Sequence, residues 1–168
     1  MRRLRTLALG LTAVLLPLTA VSPAVAAPAA ARDTVRAPGL HGPVTLTRTT
    51  DGVAHLTARD THDVFLAQGW VHATDRLFQM DTLRRTASGT LAELLGPDAL
   101  PSDVQLRTLG LRRAAERSWA AAPPLLRGAV TAYTDGVNAQ LASGAALPPE
   151  YGALRLTRVE PWTRWTRS

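Results

Sequence analysis

Cysteine and lysine are both absent from this 168-residue chain, in which all 19 basic residues are arginine. Without cysteine the chain has no disulfide, no thiolate zinc site and no cysteine nucleophile, so burial of apolar side chains must hold its fold together. Aromatic residues make up only 5% of the chain, and the arginines are scattered rather than interleaved with them. This composition argues against a nucleic-acid-binding protein.

Long apolar runs are also missing, apart from one short stretch at the N-terminus. Basic residues at 1–5 precede an apolar core at 7–16, and small residues follow at 24–26. A membrane-spanning helix needs about 20 apolar residues, so this pattern predicts a cleaved signal peptide over residues 1–26, secretion, and no membrane anchor. Its removal takes away three arginines and no acid, which lowers the net charge from +6 to +3.

The motifs of common catalytic and metal sites are missing as well. No serine lies in a Gly-x-Ser-x-Gly elbow, and Ser88 and Ser143 both occur in Ala-Ser-Gly, which is typical of turns and helix ends. No glycine-rich phosphate loop is present. The histidines show no His-x-x-x-His spacing, so the sequence predicts no metal site. They are His41, His55, His62 and His72.

Asp75 is the carboxylate that best resembles a general base, because it lies in a densely patterned helical segment. Arg76 follows it directly and Gln79 lies one helical turn further on. A charge at that depth needs a partner, so we interpret Asp75 and Arg76 as a half-buried structural ion pair. The sequence therefore predicts no catalytic, cofactor-binding or metal-binding residue in this chain.

Apolar periodicity predicts an α+β fold that begins with a β-hairpin. Residues 27–43 are rich in alanine, proline and glycine, which predicts a flexible lead-in. Residues 44–48 and 53–57 alternate apolar and polar side chains, as strands do. The turn residues Asp51 and Gly52 lie between them, and this arrangement is typical of a β-hairpin.

A long helix is predicted next, from a cap at Asp60 or Thr61 to a left-handed cap at Gly89. Asp81 precedes two arginines at the spacing that allows helical ion pairs. Apolar residues form one row at alternating spacings of four and three, and a second row widens it, so we expect packing on two sides. The rows are Leu66, Trp70, Ala73, Leu77 and Met80, and Ala67, Val71 and Phe78.

Three further helices are predicted, which gives a hairpin followed by about four helices. The first is short, with a capping box from Thr90 to Glu93, and the second opens near Ser102. The third begins at Pro123 and carries a regular apolar row, and residues 147–151 are predicted to be loop. The row is Leu126, Val130, Tyr133, Val137 and Leu141.

Taken together, these motifs resemble the N-terminal part of the α subunit of the penicillin acylase family. The resemblance covers residues 44–163, and Ala54, where proline is usual, is a minor departure. Residues 164–168 diverge from the family, whose members continue well beyond this point. The matching segments are 48–58, 63–73, 75–80, 84–85, 89–96, 132–139 and 160–162.

The resemblance implies a fragment of the αββα fold of N-terminal-nucleophile hydrolases. In that family a precursor cuts itself into α and β chains, and the N-terminal serine of the β chain attacks an amide. An α-amino group titrates near about pH 7.7–8, so it can act as the base of its own serine. The nucleophile, the substrate pocket and the calcium ligands of the family follow the 160–162 segment, so the resemblance assigns none of them here.

We therefore expect a truncated acylase precursor, produced by a frameshift, a premature stop or an incomplete gene model. Calcium is implied as a cofactor of the full-length family only. The implied partners are the missing β-chain portion and a small-molecule acyl amide, such as a β-lactam, a lipopeptide or a homoserine lactone. The alternative is a secreted, non-catalytic interaction module built on the α-subunit scaffold, because several apolar faces need a partner.

Overall fold

A three-stranded antiparallel sheet followed by six α-helices makes up residues 31–163, which are the residues that the computed structural model describes. The signal peptide predicted over 1–26 and the tail at 164–168, predicted to diverge from the family, lie outside the described residues. No helix within 31–163 is long and apolar enough to cross a membrane. The elements are β1 Ala31–Val35, β2 Val44–Arg48, β3 Ala54–Thr57, α1 Thr61–Ser88, α2 Ala92–Leu95, a 3-10 turn at Pro97–Ala99, α3 Leu100–Leu109, α4 Leu111–Ala121, α5 Pro124–Ala142 and α6 Pro149–Ala153.

The sheet contains the predicted hairpin and one additional strand. β2 and β3 pair with Leu46 opposite Leu56, and Gly52 takes a positive φ of 82° in the turn between them. β1 pairs along the other edge of β2, with Val35 opposite Val44. The sequence predicted a flexible lead-in here and missed this strand, because four of its five residues are exposed and give no apolar alternation. Backbone pairing with β2 specifies β1 instead.

Helix α1 begins and ends where the sequence predicts. Asp60 is the N-cap, and its carboxylate accepts a hydrogen bond from the backbone N–H of Asp63 at 2.8 Å. Gly89 is the C-cap in the left-handed region, with φ 65°. Arg76 leaves helical geometry, with φ −149° and ψ 34°, so α1 is kinked there. The sequence carries no proline or glycine at this point to signal the kink.

The predicted packing of α1 on two sides is confirmed. One side faces α5 and α6, and the other faces the sheet. Burial of these side chains supplies the stabilisation that disulfides provide in many secreted proteins. The first cluster contains Ala73, Leu77, Met80, Leu94, Val137 and Tyr151, and the second contains Val35, Val44, Ala67 and Val71.

The later helices are more numerous than the sequence predicts. Where the sequence predicts one helix that begins near Ser102, the structure has two, α3 and α4. Gly110 separates them, because it adopts a left-handed φ of 74°. Residues 147–151, predicted as loop, include the start of α6. Tyr151 in α6 is only 1% exposed, so packing of a single aromatic side chain holds this short helix in place.

The predicted capping box of α2 does not form. Leu91 is the N-cap, without a side-chain hydrogen bond, and Glu93 instead pairs with Arg85 at 2.8 Å. The buried carboxylate of Asp103, on α3, accepts hydrogen bonds from the backbone N–H groups of Leu91 and Ala92 at 2.8 and 2.9 Å. A carboxylate from a neighbouring helix thus satisfies the first N–H groups of α2.

Candidate functional site

The most deeply buried ion pairs of α1 centre on Asp81, which is 1% exposed. Its Oδ1 accepts hydrogen bonds from Arg84 Nε at 2.7 Å and Arg85 Nε at 3.2 Å, which confirms the two pairs that helical spacing predicted. The hydroxyl of Tyr151 donates to Asp81 Oδ2 at 3.1 Å. Burial, together with the adjacent Asp81 charge, raises the pKa of Tyr151 well above its usual range. With both oxygens engaged, the Asp81 carboxylate joins Arg84 and Arg85 of α1 to Tyr151 of α6.

The segment at 160–162 is tied to both long helices. Arg84 donates to the backbone oxygen of Glu160 at 3.0 Å, and its guanidinium carbon lies 4.8 Å from the centroid of the Trp162 ring. The amide of Asn138, on α5, exchanges two hydrogen bonds of 2.7 Å with the backbone of Trp162. Arg84 and Asn138 therefore both hold the 160–162 segment, at the C-terminal end of the described residues, against the helical core.

Asp75 does not pair with Arg76 as the sequence predicted. Its partner is Arg48, at the end of β2, whose Nη2 lies 2.7 Å from Asp75 Oδ1. Adjacent residues on a helix point in different directions, so Asp75 and Arg76 do not face each other. The side chains of Asp75 and Arg48 are 28% and 32% exposed. This ion pair therefore lies near the surface and contributes little to the stability of the fold.

A cleft of about 510 Å³ lies between the β2–β3 hairpin and α1, and its lining includes the polar side chains of His72, Asp75 and Arg76. His72 Nδ1 lies 3.0 Å from the hydroxyl of Tyr133, on α5. Burial, aided by the charge of Arg76, lowers the pKa of His72, and burial raises the pKa of Tyr133. Both groups are therefore neutral at pH 7, and their hydrogen bond joins α1 to α5.

Four side chains that no sequence motif connects come together at the start of α1. His41, Asp60, His62 and Asp63 each offer one metal-ligating atom, and these four atoms lie within 4.8 Å of one another. Within residues 31–163 no other group of three or more such side chains comes together. His41 comes from the β1–β2 loop, 19 residues before Asp60, so no local spacing motif could reveal the cluster.

This cluster does not fit calcium, the ion that the family resemblance implies for full-length members. Calcium takes about six to eight oxygen ligands, whereas two of the four ligand atoms here are imidazole nitrogens. The described side-chain hydrogen bonds of His41, His62 and His72 go to carboxylates and to Tyr133, and none of these bonds pairs a histidine with a serine. That the chain carries no catalytic residue stays a prediction.

The fold has a clear counterpart among solved structures. It superposes on a thermostable penicillin G acylase from Alcaligenes faecalis with a TM-score of 0.64 and 33% sequence identity, over 72% of this chain and 66% of that one. The α+β arrangement is therefore a fragment of an N-terminal-nucleophile hydrolase fold.

Sequence comparison narrows this class to one family. The penicillin amidase family model matches residues 43–167. The chain is 44% identical over 128 residues to penicillin acylase 2 proenzyme of Pseudomonas sp. (strain SE83), a match that covers 76% of this chain and 16% of that protein. It is also 44% identical over 103 residues to the acyl-homoserine lactone acylase QuiP of Pseudomonas aeruginosa, covering 61% and 12%. The chain belongs to the penicillin amidase family and spans less than one-fifth of these relatives.

Proposed function

We propose that this chain is the N-terminal part of the α-subunit region of a secreted amide hydrolase precursor. Its own role is to build the helical scaffold of that region, and the β-chain portion of the same precursor supplies the nucleophilic serine, its α-amino base and the oxyanion donors. One observation carries this proposal. The family match over 43–167 includes the described residues that hold the helices together, above all the Asp81 cluster and the Asn138–Trp162 pair.

The proposed substrate is a small acyl amide, from which the complete enzyme removes the acyl group. The names of the relatives support this class, because one is a penicillin acylase and another an acyl-homoserine lactone acylase. A β-lactam, a lipopeptide and a homoserine lactone are all members of it. Calcium is proposed only for the complete enzyme. Export rests on the signal-peptide pattern at 1–26, and protein sequencing of the secreted product should read from residue 27.

Exposed leucines support the need for a further partner. Leu125 and Leu126, at the start of α5, are 74% and 51% exposed, and Leu109 and Leu111, around the α3–α4 junction, are 66% and 45% exposed. Full burial of such a side chain contributes about 1.5–3 kcal/mol, and neighbouring exposed apolar residues often mark interfaces. We assign them to contacts with the remainder of the precursor. The same exposure favours the alternative, a secreted, non-catalytic interaction module.

Reading the DNA beyond codon 163 in all three frames separates these two functions. We expect one frame to encode the remainder of an acylase, including a β chain that begins with serine. If no frame does so, the enzyme proposal fails and the interaction module replaces it.

Activity of the purified chain is a second test. We expect no hydrolysis of a chromogenic phenylacetyl or fatty-acyl anilide, because the proposed nucleophile belongs to the β chain. Turnover above that of a mock purification would contradict the scaffold role. The acylase from Alcaligenes faecalis, a solved homologue, serves as the positive control.

A further inference from the structure

We propose that His41, Asp60, His62 and Asp63 bind one divalent transition-metal ion of the zinc class, which clips the β1–β2 loop to the start of α1. The proposal is independent of the acylase function, because these side chains lie apart from the Asp81 cluster and from the hairpin cleft. It rests on the positions of the four ligand atoms, on how their side chains are held, and on the chemical types of the ligands.

The distances between ligand atoms are close to those around a bound zinc ion. His41 Nδ1 lies 3.1 Å from Asp60 Oδ2 and 3.9 Å from Asp63 Oδ1, and His62 Nδ1 lies 3.0 Å from Asp63 Oδ1. Ligands about 2.0–2.2 Å from a tetrahedral zinc ion are separated by about 3.3–3.6 Å. The three measured separations bracket this value. The other distances between the four ligand atoms are at most 4.8 Å, and rotation of the exposed His41 and Asp60 side chains can shorten them.

Two features hold the cluster in place before any ion binds. Asp63 is 1% exposed, and its carboxylate accepts hydrogen bonds from the backbone N–H groups of His41 and Gly42, both at 2.9 Å. The rings of His41 and His62 stack with centroids 4.2 Å apart and planes within 10°, so their Nδ1 atoms reach the carboxylates side by side. Such outer hydrogen bonds orient metal ligands in established sites and strengthen binding.

The ligand types select the class of ion. Two imidazole nitrogens and two carboxylate oxygens suit zinc, cobalt or nickel, whereas calcium and magnesium take oxygen ligands. Two carboxylates also balance the charge of a divalent ion. The side chains of His41, Asp60 and His62 are 62%, 44% and 36% exposed, which leaves the cluster open to an ion from solution.

Binding requires that each Nδ1 give up its proton. A neutral imidazole can move this proton to its Nε2 atom, and an imidazolium releases one proton to solvent. Hydrogen bonds from the backbone of Asp63 and from His41 lower the pKa of Asp60, so that carboxylate is ionised throughout the neutral range.

The test is zinc binding by the full, untagged chain after treatment with a chelator. Equilibrium dialysis against zinc chloride, with metal analysis of the protein, should give about one zinc per chain with micromolar affinity. His41→Ala and His62→Ala should each weaken binding at least about tenfold, because each loses one of four ligands. Asp60 and Asp63 are left intact, since they also cap α1 and hold the β1–β2 loop.

His55→Ala is the matched control, because His55 is exposed on β3 and lies outside the cluster. It should bind zinc like the unaltered chain. The proposal is overturned if the full chain binds no stoichiometric zinc, if both cluster variants keep full affinity, or if His55→Ala loses as much affinity as they do. A cobalt-loaded sample offers a second readout, since visible absorption of histidine–carboxylate coordination should disappear in the His41 and His62 variants.

Discussion

The crossing of α1 and α5 depends on two glycines, and substitution of one of them gives a sharp test of this fold. A Cβ atom on Gly136 would collide with the backbone oxygen of Leu66 and would lie 3.0 Å from the backbone nitrogen of Trp70. A Cβ on Gly69 would collide with the backbone oxygen of Tyr133. Side-chain rotation cannot relieve these contacts, because the position of a Cβ is set by its own backbone and the atoms that it meets are backbone atoms of the other helix.

We expect Gly136→Ala to destabilise the chain by about 2–3 kcal/mol. Overpacking of a tight contact costs about 1–3 kcal/mol, and separation of the helices also loosens the packing of the fully buried Val137 and Leu77. Helix propensity acts in the opposite direction, since alanine is favoured over glycine by about 0.5–1 kcal/mol in a helix interior. The steric effect prevails because both helices must move, and Gly69→Ala should behave in the same way.

Urea unfolding followed by circular dichroism measures this effect. With a slope of about 1–3 kcal/mol per molar urea, the urea midpoint of Gly136→Ala should fall by about 0.7–3 M. Gly128→Ala is the matched control, because Gly128 lies on the same helix, is exposed, and has no heavy atom within 4 Å of an added Cβ. This control should gain about 0.5–1 kcal/mol from helix propensity alone. If both variants are stabilised equally, the close crossing of α1 and α5 is refuted.

Three further substitutions test the buried polar groups by urea unfolding. Asp81→Asn should cost about 3 kcal/mol, because it leaves two arginines at the core without their carboxylate. Tyr151→Phe should lower the free energy of unfolding by about 1–2 kcal/mol, since it removes one hydrogen bond to a charged acceptor. Asp81→Asn should therefore be the more destabilised variant, and equal losses in the two would contradict this expectation. Burial raises the pKa of Asp63, but hydrogen bonds from His41, His62 and Gly42 outweigh it, so the folded-state pKa is below the unfolded value. Asp63 therefore adds stability above about pH 4 that is lost as the pH falls through its folded pKa, and Asp63→Asn should flatten that acid limb.

Local patterns were enough to predict much of this architecture. Strand alternation and an Asp-Gly turn fixed the β2–β3 hairpin, and a cap at each end bounded α1 from Asp60 to Gly89. Helical spacing alone paired Asp81 with two arginines and placed apolar rows on two sides of the same helix. Each of these features depends on residues within a few positions of one another, and the ordered motifs indicated the family for the same reason.

The features that local patterns did not predict depend on contacts between residues far apart in the sequence. Strand β1 exists because β2 offers it a pairing edge, and Asp103 caps α2 from another helix in place of the predicted capping box. Arg48 takes the place of Arg76 beside Asp75, since the hairpin brings it across α1. The histidine–aspartate cluster and the glycine crossing join segments 19 and more residues apart. A periodicity or a spacing motif records only neighbours along the chain, so these sites became visible only when tertiary packing brought the segments together.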